Sequence, residues 1–483
     1  MGLRGAGCVS VVLWSVAVAF AGSTGARLPV TTSSALARKH FEKGIEALEY
    51  LRRAEAVEDL RTAVTADPKF AQALILISHL SQDPAEQQET RTRAQRLAAR
   101  VSSSEQLLIL WLGGVQEDNY VPAIAAMNDL LARYPRDKRL LFLAGRWLVH
   151  QERYSQGILI LERAVALDAD YPAALNELGY AYAYSGDFEK GIAAMERYVE
   201  LEPDQPNPHD SYGEILRLGG RFEAALEQYR LSIRADPNFG SELGIADTLA
   251  LMGKEPEARE EYERAMVFVS SESERVEYEL QEAVTWIREN NRKQAEHALK
   301  DVGKHAHGVG LGVLEAESHR YLAMYEPDYK AAMKQLQAAQ ACLEEGHEIS
   351  RSERRDEQAR ILRVRAERAA ESQDGDAAAA AVKGLLEMAQ NSRSQVVQVS
   401  YHAAAGGVLL AQGKAGEAIP HLEEDAANPE SLRRLWKAYT VTGAQTEARS
   451  VAGKLAELNI PTVEQALVVP PFRESLVSHA GQP

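Results

Sequence analysis

Cysteine is almost absent: the 483 residues hold two, Cys8 and Cys342. Cys8 lies in a leader, and once that leader is removed Cys342 stands alone. No intrachain disulfide and no cysteine-based zinc site can then form. Basic charge is in deficit as well. Lysine and arginine number 54 against 70 aspartates and glutamates, a formal charge of −16. That balance argues against a nucleic-acid partner and against anionic membrane surfaces, both of which call for a basic face. Catalytic signatures are missing too. A phosphate-binding loop requires glycine, four residues, then Gly-Lys-Ser/Thr, but ahead of Gly413-Lys414 the first glycine is replaced by Val408 and Ala415 follows the lysine, so this reads as an interhelix turn. Neither a two-histidine, one-glutamate metalloprotease helix nor a Gly-x-Ser-x-Gly elbow occurs.

What is present begins with the leader. Residues 1–26 carry Arg4, then the apolar run 9–21 (VSVVLWSVAVAFA), then the small-x-small pattern Ala19-Phe20-Ala21. This predicts a cleaved secretory signal and a mature chain that is periplasmic or secreted. The strongly apolar run is shorter than the ~20 residues that cross a bilayer; an uncleaved leader, extended by residues 22–26, would instead anchor the chain. A lipoprotein is disfavoured because the acceptor cysteine follows the apolar run in such proteins, whereas Cys8 precedes it. Residues 27–34 (RLPVTTSS) read as a polar linker.

The most regular stretch is 170–239. Within it Gly179 recurs as Gly213, Gly186 as Gly220, Phe188 as Phe222 and Pro203 as Pro237, each 34 residues on. A fixed period of that length marks stacked helical hairpins, since one hairpin cannot bury its apolar face alone. Leu175, Leu178, Gly179 and Tyr182 share one helix face. Gly186-Asp187 breaks that helix, Gly191, Met195 and Tyr198 form the stripe of a second, and Pro203 stops it. The pattern resembles the tetratricopeptide-repeat family, with its Leu-Gly-x-x-Tyr core, its second-helix alanine and aromatic, and its closing proline. More narrowly, residues 207–213 (NPHDSYG) with Gly220-Arg221-Phe222 look like repeats of secreted bacterial proteins of unknown role and of the sensor halves of some bacterial signalling proteins. The resemblance implies an all-α fold, a right-handed α-solenoid of antiparallel hairpins. It implies a non-catalytic scaffold without a cofactor, whose partner is a protein or peptide.

The array is expected over 35–274, with a degenerate unit at 70–104. Residues 275–345 read as degenerate helical repeats containing a glycine-rich loop at 305–312 (HAHGVGLG), residues 346–462 as further repeats, and residues 463–483 as a cap and tail. Two prolines make 468–472 (VVPPF) non-helical by expectation. The arginine-rich helix 351–368 pairs Asp356 with Arg360 and Arg363 with Glu367 one turn apart, the spacing of a solvated, salt-laced face. His305 and His307, with His297 and His319 nearby, read as solvated side chains rather than metal ligands.

Function in this family sits on the concave face, lined by the first helix of each hairpin. The resemblance therefore nominates Arg146 and His150, then Asn176, Tyr180 and Tyr184, then Asp210, Glu214 and Arg217. Two tyrosines one turn apart would form an aromatic floor between basic and acidic edges, a surface suited to a peptide. Asp210 and Glu214 stand where the family's carboxylate clamp has basic residues, which favours a ligand with a basic or mixed face. Two other readings are a structural subunit of a cell-envelope complex and an enzyme with a site within 301–346.

Overall fold

The computed structural model describes residues 27–117, 119–269, 271–346 and 349–480; the predicted leader lies outside them. Among the described residues there are twenty-five α-helices and no strand. The first hairpins are α1 (Ala35–Glu49) with α2 (Arg53–Ala66), α3 (Ala71–Leu80) with α4 (Pro84–Leu97), and α5 (Ser103–Gln116) with α6 (Tyr120–Arg133). The regular centre follows as α7 (Lys138–His150) with α8 (Tyr154–Leu167), α9 (Pro172–Tyr184) with α10 (Phe188–Leu201), and α11 (Pro206–Leu218) with α12 (Phe222–Ala235). Next come α13 (Glu242–Leu251) with α14 (Glu255–Ala265), α15 (Glu272–Arg288) with α16 (Arg292–Gly308), and α17 (Gly312–Tyr325) with α18 (Tyr329–Glu345). The last pairs are α19 (Arg351–Glu371) with α20 (Gly375–Asn391), α21 (Gln395–Ala411) with α22 (Ala415–Glu423), and α23 (Pro429–Thr442) with α24 (Gln445–Ala456), before a single α25 (Val463–Ala480). The chain is an all-α solenoid of helical hairpins.

Local signals set the boundaries. Ser102 and Glu105 form a reciprocal capping box that starts α5. The Asp137 carboxylate accepts from the backbone N–H groups of Arg139 (3.0 Å) and Leu140 (3.2 Å) and starts α7. Between α9 and α10 the chain reverses at Gly186, whose φ of 89° needs no Cβ. The corresponding turn between α1 and α2 uses Leu51 at φ 57°, a conformation that costs a side-chain-bearing residue about 1–2 kcal/mol. Its side chain offsets that cost by packing against buried side chains of α7 through α12.

Leu51 belongs to a closure of the array on itself. Glu49 at the end of α1 accepts from Lys138 Nζ (2.7 Å) and Arg139 Nε (2.6 Å), both at the start of α7. Arg52 reaches Glu202, just past α10, at 3.3 Å. The first hairpin therefore touches the fourth and fifth. A second closure comes from the C-terminal end. Val463 and Ala466 of α25 pack with Val276 and Leu280 of α15, and Asn459 Nδ2 donates to the Leu218 carbonyl at the end of α11 (3.4 Å).

Three sequence expectations are corrected. Residues 305–308 are helical, because α16 runs on to Gly308 with Val302, Gly303 and Ala306 buried; packing outweighs a glycine cost of ~1 kcal/mol each, and the reversal falls at Gly310, φ 77°. Residues 468–472 are helical within α25, prolines included. There Val469 and Phe472 bury against Leu432 and Trp436, the Phe472 ring meeting the Trp436 ring edge-on at 5.2 Å. The helix 351–368 is not a solvated face. Glu357 and Glu367 are buried in α19 and Arg363 is largely so, and they pair across helices: Arg320 Nε to Glu357 at 2.7 Å, Arg363 to Asp425 at 2.9 Å, and Arg434 to Glu367 at 2.6 Å. No helix among the described residues is long and apolar enough to cross a membrane.

Candidate functional site

The closure of the first five hairpins turns the expected open groove into a lumen. Its volume is about 560 Å³, and its wall comes from the first helices α1, α3, α5, α7 and α9. Phe41, Leu108, Leu112 and Phe142 supply the apolar part. One flank is made by residues 27–32, which run extended along the concave face instead of forming a free linker. Leu28 N–H donates to Asp137 Oδ2 (2.7 Å), the Pro29 carbonyl accepts from Gln72 Nε2 (2.9 Å), and Thr32 Oγ1 donates to Asp67 Oδ2 (2.6 Å). Leu28 and Val30 face the same apolar core. The alternation of Leu28, Val30 and Thr32 with exposed neighbours was the sequence signal for an extended segment half-buried on one side.

One side of the lumen gathers cationic side chains. Arg53 donates to the carbonyl oxygens of Leu80 (2.5 Å) and Ser81 (3.3 Å). Arg146 stands 3.2 Å from Glu177 and donates to His150 Nε2 at 3.3 Å. Burial, followed by the nearby Arg146 and Arg53, pushes the His79 imidazole down to about 4. His150 is lowered by burial and by Arg146. The Glu177 carboxyl is raised by burial, against the pull of Arg146. Three lining side chains keep a buried polar atom without a hydrogen-bond partner: Gln72 Oε1, Trp111 Nε1 and Asn176 Oδ1.

Of the residues nominated from the sequence, Arg146, His150 and Asn176 line this lumen. Tyr180, Tyr184, Asp210, Glu214 and Arg217 form a separate chain farther along α9 and α11. Tyr184 stacks on Tyr180 at 6.1 Å and lies 5.6 Å from the Tyr154 ring. Tyr180 Oη donates to Glu214 Oε2 (2.8 Å), Glu214 pairs with Arg217 (3.4 Å), and Arg217 pairs with Asp247 (2.9 Å). Asp247 also accepts from Tyr262 Oη at 2.6 Å, which makes Arg217 the centre of a buried network joining α11, α13 and α14. Tyr184 alone of this chain is strongly exposed, at 43%. Arg53, His79, Gln72 and Trp111 were not anticipated. Arg53 opens a second helix, a position the family pattern keeps off the concave face, and the other three lie in the degenerate second hairpin and the third, where register is hardest to read.

Asp210 accepts from Ser241 Oγ at 2.6 Å, yet burial, with Glu214 adding to it, pushes its carboxyl up to about 6 from 3.8. Between those values the folded chain keeps a proton that the unfolded chain has lost, so stability falls as pH rises through that window and then levels off. Asp210→Asn can accept the same Ser241 hydrogen bond and does not ionise. The variant is expected to match the parent near pH 4 and to exceed it by about 1–3 kcal/mol above pH 6, as read from urea denaturation at the two pH values.

In the C-terminal half, Glu315 and His319 on α17 and Cys342 on α18 each place a potential ligand atom within 4.8 Å of the others. Burial and Glu315 push the Cys342 thiol up to about 12, which makes it a protonated neighbour of that carboxylate and a poor nucleophile. His305 pairs with Glu279 at 2.8 Å and His307 with Glu315 at 3.2 Å.

A family model described as tetratricopeptide repeat matches residues 119–172 and 176–238. Among solved structures, a tetratricopeptide repeat protein from Parabacteroides merdae is 12% identical, with 56% of this chain and 93% of that one covered at a TM-score of 0.36. The protein TTC0263 of Thermus thermophilus is 18% identical over 44% of this chain and 98% of its own, TM-score 0.29. MamA of Desulfovibrio magneticus is 17% identical over 43% and 99%, TM-score 0.26. No curated protein matches the chain. The 34-residue period, the paired helices and the matched central segment agree: residues 119–172 and 176–238 are tetratricopeptide repeats, set within an all-α array of helical hairpins.

Proposed function

We propose that the chain is an exported, non-catalytic scaffold that holds a peptide or protein partner at the tyrosine row of α8 and α9. The observation that carries this reading is the placement of Tyr184. Its ring is exposed at the end of a stacked row whose other members are half-buried, so it offers contact area already fixed in position. Asp210 and Glu214 lie beside the row, close enough for Glu214 to hinder ionisation of Asp210. A cationic group supplied by a partner would relieve that crowding, which favours a partner with a basic or mixed face. Export is supported by the Arg4, apolar run and small-x-small pattern of residues 1–26.

Tyr184→Ala is expected to weaken partner capture by about 10- to 100-fold, as befits an aromatic anchor, while the melting curve stays unchanged. Tyr180 is unsuitable for this test because it is hydrogen-bonded to Glu214, so its loss would also disturb the fold. Capture is read by pull-down from the envelope fraction of the source cell with residues 27–483 as bait; Tyr184→Ala capturing the same proteins at the same level would refute the assignment. N-terminal sequencing of chain recovered outside the cytoplasm tests the leader.

A further inference from the structure

We propose that the lumen enclosed by the first five hairpins is a receptor site for one small amphipathic acid, with its apolar body among Phe41, Leu108, Leu112 and Phe142 and its anionic head at Arg53 and Arg146. This does not rest on the partner reading above, which concerns the tyrosine row.

Size is the first argument. About 560 Å³ falls in the range of ordinary small-molecule sites, roughly 300–1,000 Å³. It is too little for a folded partner. Walls made chiefly of aliphatic and aromatic side chains ask for an apolar body.

The unpaired atoms are the second argument. Buried polar atoms in native proteins nearly always have a partner, yet Gln72 Oε1, Trp111 Nε1 and Asn176 Oδ1 have none. All three residues line this one lumen and all are more than nine-tenths buried. Trp111 Nε1 can donate to an acceptor on a guest, and Gln72 Oε1 and Asn176 Oδ1 can accept from a hydroxyl carried on its body; dodecanoate lacks that hydroxyl and probes only the head and the chain.

Charge is the third argument. The lumen's carboxylates are not distributed like its cations. Glu49 is neutralised by Lys138 and Arg139, Glu42 pairs with Arg139 at 3.4 Å, and Asp137 is held by the Leu28 N–H and the start of α7. Elsewhere in the wall, where Arg53, Arg146, His79 and His150 lie near one another, Arg53 donates to neutral carbonyl oxygens and Arg146 pairs with the single carboxylate of Glu177. The two histidines there are kept neutral, in part by the field of these arginines. An anion is what that region lacks, and the planar fork of a guanidinium matches a carboxylate with two parallel N–H···O bonds. Arg53 and His150 are exposed while the apolar wall is buried, so the head would sit toward solvent and the body inside.

The test uses residues 27–483 and three probes sharing one tail: dodecanoate, dodecanol and dodecylamine, each below its micellar concentration. Titration calorimetry and tryptophan fluorescence, reporting on Trp111 and Trp147 in the wall, are read together. The expected result is one dodecanoate per chain, dodecanol at least tenfold weaker, and no saturable binding of dodecylamine. Arg53→Gln, at an exposed position, should weaken dodecanoate tenfold or more and leave dodecanol unchanged. Leu143→Trp, which adds bulk to the half-buried part of the wall, should abolish binding of dodecanoate and dodecanol while Tyr184-dependent capture persists. Equal affinity for acid and amine, or an unaltered dodecanoate affinity in Arg53→Gln, would overturn the headgroup assignment. Absence of binding by every probe to a chain with an intact melting transition, or undiminished binding to a folded Leu143→Trp, would overturn the site.

Discussion

Arg320→Met is expected to cost about 3–5 kcal/mol of folding free energy, and the double variant with Glu357→Leu to recover most of that loss. Arg320 and Glu357 are 5% and 1% exposed and lie 2.7 Å apart between α17 and α19. Removing either partner strands a charge in a site that water does not reach, and that stranded charge, rather than the lost attraction, is the main penalty. Replacing both by apolar side chains of similar size removes the two desolvation costs together, which is often neutral or stabilising. Glu317, 2.8 Å from Arg320, and Arg360, 3.3 Å from Glu357, are more exposed and can turn to solvent. Denaturation midpoints of the two singles and the double provide the comparison. A double variant no more stable than the worse single would mean that the pair's value lies in its geometry and not in mutual neutralisation.

Gly244→Ala is expected to cost about 3 kcal/mol, the upper end for overpacking. The ring of Tyr229, 2% exposed, lies between α11 and α13 and touches the backbone of both. A Cβ on Gly244 would stand 2.3 Å from its Cε1 and 2.4 Å from its Cζ, and one on Gly213 would stand 2.9 Å from the same ring. A buried aromatic ring cannot fold away. By contrast, Cβ on Gly179 meets the terminal Cε of Met195 at 2.5 Å, and a thioether can swing aside, so Gly179→Ala should cost less than half as much. Restoration of the Gly244→Ala melting temperature by Tyr229→Leu would identify the ring as the cause. Lack of any restoration would place the damage in the helix backbone.

The repeats were readable because each hairpin buries its own short-range stripe. Gly179, Gly191, Met195 and Tyr198 are all buried, as their spacing indicated. What escaped reading depends on residues far apart in the chain. Nothing near Glu49 announces Lys138 or Arg139, so the groove looked open where it is closed. The pairing of Arg363 looked local because Glu367 is one turn away; Asp425 and Glu367 in fact share a cluster with Arg434 from α23. The proline pair at 470–471 reads as a helix stop in isolation, but burial of Val469 and Phe472 holds α25 together across it. In the candidate site, periodicity located Arg146, His150 and Asn176, whereas Arg53 and Trp111 join them only through the closure.

The tie between the first hairpin and the fourth and fifth also changes how the molecule comes apart. A linear stack frays from its tips, because a terminal unit gives up contacts with one neighbour only. Here the opening of α1 must also release Glu49 from Lys138 and Arg139, Arg52 from Glu202, and Leu51 from the cores of later hairpins. The N-terminal tip has no independent low-energy route to solvent. Its backbone amides should exchange with solvent deuterium as slowly as those of α9, and the first five hairpins should open as one cooperative unit.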